Sequence, residues 1–258
     1  MPALPALFVS HGAPTLALQP SPARDFLAGY GSELGKPAAI VVVSAHWETA
    51  RPRVTAAASP ETIHDFHGFP RELHAMRYPA PGDPALASRT AALLTAAGLG
   101  ADPDPRRGLD HGAWVPLVLM YPDATVPVLQ VSVQHHGGPA HHLALGQALR
   151  PLREEGVLII GSGSLTHNLH DFAGQAVDAP PLPYVVAFGD WAGEAITQGR
   201  TADLLAYRSL APQAARAHPT EEHFLPLFAA MGAGTQPGRR VHAGHTHGIL
   251  AMDVFAFD

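Results

Sequence analysis

The segment Val157-Leu158-Ile159-Ile160-Gly161-Ser162-Gly163-Ser164-Leu165-Thr166-His167 runs from four apolar residues through a small-residue turn to a histidine. A short apolar run without polar alternation suits a strand buried on both faces, as in the parallel sheet of an α/β protein. The same reading applies to Ala6 to Ser10, which His11 follows, and to Ala39 to Ala45, which His46 follows. Val126 to Val133 is a fourth such run.

Helical patterns lie between these runs, at Pro84 to Ala97, Ala140 to Glu154 and Tyr184 to Gln198. Asp83 and Pro84 suit an N-cap and first helical position, and Gly98 suits the helix end. Strands alternating with helices predict an α/β fold. We expect a single three-layer domain over residues 1–258, with a mostly parallel, mixed central sheet and helices on both faces. Arg240 to Ala243 and Ile249 to Phe257 read as further strands of that sheet. The stretches Ser59 to Pro84 and Gly100 to Gly112 are long for connections in a compact domain, and such loops are often functional.

With 258 residues, 47% hydrophobic and 15% charged, the chain can bury a sizeable core. A formal charge of −6, with no basic run longer than Arg106-Arg107 or Arg239-Arg240, argues against nucleic acid or an anionic membrane as partner. No apolar stretch is long enough for a membrane-spanning helix. Met1 to Phe8 lacks the basic-then-apolar pattern of a secretory signal, so a cytoplasmic location is the default expectation. Nothing in the pattern sets an oligomeric state. With no cysteine, any bound metal must be held by His, Asp or Glu.

Histidine is unusually frequent, at 17 residues. His11, His46 and His167 each follow an apolar strand. Open α/β sheets bind ligands outside the carboxyl ends of their strands, so these three imidazoles are expected to share one crevice. His223 lies in Pro219-Thr220-Glu221-Glu222-His223-Phe224-Leu225-Pro226. There Thr220 reads as a helix N-cap and the glutamates as charges favoured in a first turn. His111 follows Asp110 in the second long loop, and His64 lies in the first, where it is expected to reach a substrate. His135, His136, His141 and His142 read as exposed residues around a helix entry. His242, His245 and His247 have chelating spacing but fall between C-terminal strands.

Six segments occur in order: His11-Gly12-Ala13-Pro14, Ser44-Ala45-His46-Trp47, Thr62-Ile63-His64-Asp65-Phe66, Tyr78-Pro79-Ala80-Pro81-Gly82, Asp110-His111-Gly112, and Gly161-Ser162-Gly163 through His167-Asn168. Together they resemble the class III extradiol aromatic-ring-opening dioxygenases, in the 4,5-DOPA dioxygenase branch, from Ala6 to about Pro226. The C-terminal Gly244-His245-Thr246-His247-Gly248 departs from that pattern.

The resemblance implies a metal held by His11, His46 and His223. Glu222 is the alternative third ligand, because the broader class uses two histidines and a glutamate. It implies a catalytic role for His167, which is also counted among the metal residues, and a substrate-facing role for His111. Trp47, Phe66 and Trp114 flank the motifs and join His64 as the expected substrate-facing set, although ordinary packing explains each equally well. The implied partners are a small catechol and O2. Fe(II) is the cofactor expected for activity, and Zn(II) is expected to fit the same imidazoles.

Such chemistry needs these groups. Ground-state dioxygen is a triplet and reacts slowly with a singlet catechol, so a redox-active metal must mediate. A histidine titrating near neutrality can take the catechol proton. Two other readings use the same cluster: a zinc-dependent hydrolase activating water, and a non-enzymatic binding protein of the same superfamily. The presence of both His111 and His167 beside three proposed ligands argues against a dead site.

Overall fold

Each apolar run forms a strand, because side chains alternating to opposite faces of the sheet find a hydrophobic layer on either side. The computed structural model describes residues 3–258. Its strands are β1 (Ala6–Ser10), β2 (Ala39–Glu48), β3 (Arg53–Thr55), β4 (Asp102–Asp104), β5 (Val128–Val133), β6 (Val157–Gly163), β7 (Arg239–His242), β8 (His245–Thr246), β9 (Leu250–Ala251) and β10 (Val254–Phe257). The helices are α1 (Pro22–Leu34), α2 (Arg71–Ala75), α3 (Pro84–Ala96), α4 (His111–Met120), α5 (Gly138–Leu149), α6 (Pro151–Glu154), α7 (Pro183–Thr197), α8 (Thr201–Leu205), α9 (Tyr207–Leu210), α10 (Ala214–Ala217) and α11 (Leu225–Ala233).

Eight strands form one sheet in the order β4-β3-β5-β2-β6-β1-β10-β7. Its centre, β5-β2-β6-β1, is parallel, whereas β10 and β7 join antiparallel on one side and β3 pairs antiparallel with β5 on the other. The sheet is therefore mixed and mostly parallel, as expected. Phe8, Val41, Val43 and Ile159 pack with α5, α7 and α11 on one face, and Leu7, Val9, Ile40 and Ile160 with α1 and α4 on the other. Among the described residues, no helix is long and apolar enough to cross a membrane.

The differences from expectation have local causes. Ala140 to Glu154 is broken at Pro151, which opens α6, and begins earlier, at Gly138. Ile249 to Phe257 is two strands, β9 pairing with β8 in a separate ladder and β10 with β1. The two long loops contain α2, β4 and the start of α4, and are tied together by a bridge between Thr62 and Leu109. Thr220 does not cap a helix: its hydroxyl donates to Glu222 at 3.1 Å, and α11 starts only at Leu225. Helices α5 and α11 meet backbone to backbone. A Cβ on Gly146 would lie 2.0 Å from the Ala229 carbonyl oxygen.

His142, read as exposed, is fully buried on α5. Its Nδ1 donates to the Gly138 carbonyl at 2.8 Å, and its Nε2 accepts from the Gln134 backbone N–H at 3.2 Å. A second proton would face that N–H, and burial holds the pKa down at about 4. The unfolded chain therefore binds a proton below about pH 6.5 that the folded one refuses, so this contribution to stability is present above that pH and lost as pH falls. His142→Gln is expected to lose about 1–2 kcal/mol less stability than the parent between pH 7.5 and pH 5. Denaturant unfolding at the two pH values measures it, and equal losses would refute the assignment.

Candidate metal centre

Strands β2, β6 and β1 are neighbours and parallel, so their carboxyl ends share one edge of the sheet. His11 follows β1 there, its backbone N–H donating to the Gly163 carbonyl at 3.0 Å. His46 lies inside β2, not after it. The pairing of β2 with β5 passes from Ser44 opposite Ser132 directly to Glu48 opposite Val133. His46 sits in that irregularity, and bulges of this kind re-aim side chains beside functional sites. His111 opens α4, capped by Asp110. His223 occupies the turn before α11, its carbonyl accepting from the Ser164 N–H at 2.9 Å. His167 follows β6, its backbone N–H bonded to the Ala217 carbonyl.

Three imidazoles turn their Nε2 atoms on one another. His46 Nε2 is 3.0 Å from His11 Nε2 and 3.2 Å from His223 Nε2. Donor counting fixes two of the tautomers. The Ser162 hydroxyl donates to the Gly112 carbonyl at 2.5 Å, so it can only accept from His11 Nδ1, 3.0 Å away. His223 Nδ1 lies 2.9 Å from the Glu222 carboxylate, which only accepts. Both rings thus carry their proton on Nδ1 and leave Nε2 bare. Burial, with the neighbouring histidines, holds the pKa of His11, His46 and His223 well below the usual imidazole value.

A proton on His46 Nε2 could satisfy only one of these two bare nitrogens at a time, whereas a cation could serve all three. The spacing suits nitrogens sharing one ion through bonds of about 2.0–2.1 Å, and outer partners such as Ser162 and Glu222 orient ligating histidines in this way. The donor set therefore fits a metal. Glu222 is directed at His223 Nδ1, behind the ring.

Two further imidazoles border this group. The His111 ring centre is 3.8 Å from that of His46. Its Nδ1 lies 3.0 Å from Asp65 Oδ1, which also accepts from the His111 backbone N–H. The other oxygen of Asp65 is 3.7 Å from His46 Nδ1. Burial would raise the Asp65 pKa, but hydrogen bonding to His111 and the charges of His111 and His46 bring it down to about 2. His167 stacks on His223, ring centres 3.5 Å apart and 7° from parallel. Burial, with His111 nearby, lowers its pKa to about 4 against the pull of Glu222.

The five histidines open onto a cavity of about 440 Å3. Phe66 lies on its wall, whereas Trp47, Trp114 and His64 do not. Trp47 packs under the Arg107 guanidinium, 5.3 Å from its ring centre. Trp114 is fully buried and donates from Nε1 to the Ile63 carbonyl. His64 Nε2 lies 3.0 Å from the Met76 carbonyl, with the ring against Trp114. Each belongs to the layer behind the wall, where packing accounts for it.

Sequence reasoning passed over Asp65, because its partner His111 is 46 residues away. Asp110 is wholly buried and turns away from that ring: its carboxylate accepts from Ser44 Oγ (2.7 Å), Arg107 (3.0 Å) and Gln130 Nε2 (2.6 Å). Ser44 Oγ in turn accepts from the His46 N–H at 3.2 Å. One carboxylate thus ties the chain segments carrying His46 and His111.

A crevice at the carboxyl edge of a mixed α/β sheet, lined by convergent imidazoles beside a largely apolar cavity, has the make-up of a metal site open to a small molecule. Residues 5–251 match the family described as the catalytic LigB subunit of aromatic ring-opening dioxygenase. The chain is 44% identical to a protein of Beta vulgaris named 4,5-DOPA dioxygenase extradiol, covering 97% of this chain and 95% of that one. A Portulaca grandiflora protein of the same name is 42% identical over 98% and 95%. The crystal structure of an uncharacterized protein from Escherichia coli K12 superposes with a TM-score of 0.82 at 34% identity, over 99% of this chain and 100% of that one. The chain belongs to the LigB family of aromatic ring-opening dioxygenases, and it is a dioxygenase of the extradiol kind. Family and histidine cluster together indicate a metal cofactor.

Proposed function

We propose that residues 1–258 form one catalytic domain in which His11, His46 and His223 hold iron(II), and that a ring-substituted, DOPA-like catechol is opened there with O2. The convergence of three imidazole Nε2 atoms, on the buried His11 and His223 and the half-buried His46, beside two further histidines carries this reading. Bound iron(II) would supply a path for electrons from catechol to dioxygen past the spin barrier. Zinc suits the same imidazoles but has no redox chemistry, so the zinc form is expected to bind substrate without consuming oxygen.

His167 is the base in this scheme. Burial keeps its ring neutral, with a lone pair for a catechol hydroxyl proton. Its ring lies flat on that of His223, centres 3.5 Å apart and 7° from parallel, so it does not turn a nitrogen towards the point where His11, His46 and His223 would hold the ion. His111, whose backbone N–H donates to Asp65 and whose Nδ1 lies 3.0 Å from the same carboxylate, handles the second proton. Glu222 orients His223 and does not replace it. Phe66 bounds the space for the aromatic ring.

Protein purified without oxygen and loaded with Fe(II) is expected to take up O2 when given a catechol, with a yellow semialdehyde-type product in the visible spectrum. An inert iron form together with an ester-hydrolysing zinc form would instead support the hydrolase. Asp65→Asn is expected to keep bound metal within a few-fold and to lose about 10- to 100-fold in turnover, as for other outer partners. Metal content and oxygen uptake on the same sample test it, and unchanged turnover would remove Asp65 from the machinery.

A further inference from the structure

His167 stands on a loop that leaves β6 and has no regular structure, so its place depends on what holds residues 164–167. Bonds to distant parts of the chain do so. The Ser164 N–H donates to the His223 carbonyl, the Leu165 N–H to Ser10 Oγ at 3.1 Å, and the His167 N–H to the Ala217 carbonyl at 2.9 Å. Thr166 Oγ1 donates to the Ile249 carbonyl and accepts from the Ala251 N–H. The Leu165 carbonyl, in the middle of the loop, meets His218 Nε2 at 2.9 Å. A carbonyl only accepts, so the His218 ring carries its proton on Nε2.

His218 ends α10 and is fully buried among Phe188, Tyr207 and Phe224. Its Nδ1 has no hydrogen-bond partner among the described residues. A buried polar atom left unpaired costs about 1–3 kcal/mol, and a phenylalanine would fill these aromatic surroundings without that cost. Burial holds the His218 pKa down at about 3, so the ring is neutral and brings no charge to the site. What a histidine supplies here, and an aromatic hydrocarbon does not, is one N–H aimed at the loop of His167.

We propose that His218 is a positioning residue for ring opening: by holding the Leu165 carbonyl it sets how His167 faces the cavity. This rests on the ring-opening reading above, in which His167 is the base. Without the N–H, that carbonyl is left buried and unpaired, and the peptide between Leu165 and Thr166 turns towards another donor. His167 comes next in the chain and moves with it. The proposed metal ligands keep bonds that His218 does not make, His11 to Ser162 and His223 to Glu222 and Ser164.

Three variants separate the donor from the packing. His218→Phe keeps an aromatic ring and removes the N–H, His218→Gln restores an N–H at about the same reach, and the amide of His218→Asn is too short to reach Leu165. In the iron-loaded protein, His218→Phe and His218→Asn are expected to lose about 10- to 100-fold in kcat on DOPA, the scale of a misplaced reacting group. KM and bound metal should stay within about threefold of the parent, and His218→Gln should regain kcat to within about threefold. A second readout needs no turnover: 4-nitrocatechol bound to the zinc-loaded protein, in buffer acidic enough to keep the free compound protonated, is coloured only when the site takes its proton. The parent and His218→Gln are expected to show that colour, and the other two variants to lose most of it. Parent-like kcat or colour in His218→Phe and His218→Asn would overturn the proposal. So would equal losses in all three variants, or loss of metal along with kcat. A parent that turns over no catechol would sink the ring-opening reading, and the colour of the zinc forms would then judge His218 by itself.

Discussion

Alanine at His46 is expected to lower metal affinity at least about 100-fold, above the range for residues that only orient a ligand, and to abolish turnover. His46 Nε2 is the middle of the three nitrogens, 3.0 Å from one neighbour and 3.2 Å from the other. Its loss leaves His11 and His223 as two donors with no third between them. His167→Ala should behave differently. Its ring lies flat on His223, outside the converging group, so metal should be retained within about tenfold while turnover falls about 10²- to 10⁴-fold, the usual range for one proton-transfer group. Metal content after dialysis, measured beside oxygen uptake, separates the two variants. Equal metal loss in both would make His167 a ligand.

That contrast was only partly legible in the sequence. The histidines at the ends of β1 and β6 could be found because a buried parallel strand leaves an apolar run without alternation, and the residue after it faces the crevice. The resemblance placed His223, which local reasoning treated as part of a capped helix. Helices α4 and α11 carry the residues next to His111 and His223, yet neither shows an amphipathic stripe, because every residue of α11 and all but Val118 of α4 are buried. Periodicity has nothing to report in a helix covered on all sides. Pairings across long separations were equally invisible. Ser162 with His11, 151 residues apart, and Asp65 with His111 need the folded chain before they can be seen. The tryptophans stood beside the right motifs but lie in the layer behind the wall: Trp47 because neighbouring residues on a strand face opposite sides, and Trp114 because it is buried on α4 with its Nε1 bonded to the Ile63 carbonyl.

Glycines at the carboxyl edge, by contrast, were quoted in the motifs without their reason, and that reason gives the second large effect. Gly163 ends β6 between two of the proposed ligands: its carbonyl accepts from the His11 N–H, and the next N–H, of Ser164, donates to the His223 carbonyl. A Cβ on Gly163 would lie 2.1 Å from that same His223 oxygen. The obstacle is backbone on both sides, so no rotamer change can relieve it. The His223 turn has to move away from β6, while His11 stays with β1. Gly163→Ala is therefore expected to cost about 1–3 kcal/mol of stability, the usual penalty of overpacking. It should also weaken metal binding at least about tenfold, because the nitrogens no longer converge. Gly29→Ala serves as the control: it is a helical position on α1 where a Cβ meets nothing within 4 Å, and it should gain up to about 1 kcal/mol. Denaturant unfolding and metal titration on both variants decide the matter. If Gly163→Ala loses stability yet binds metal as the parent does, the edge of the sheet is packed tightly for folding alone and the ligand geometry is set elsewhere.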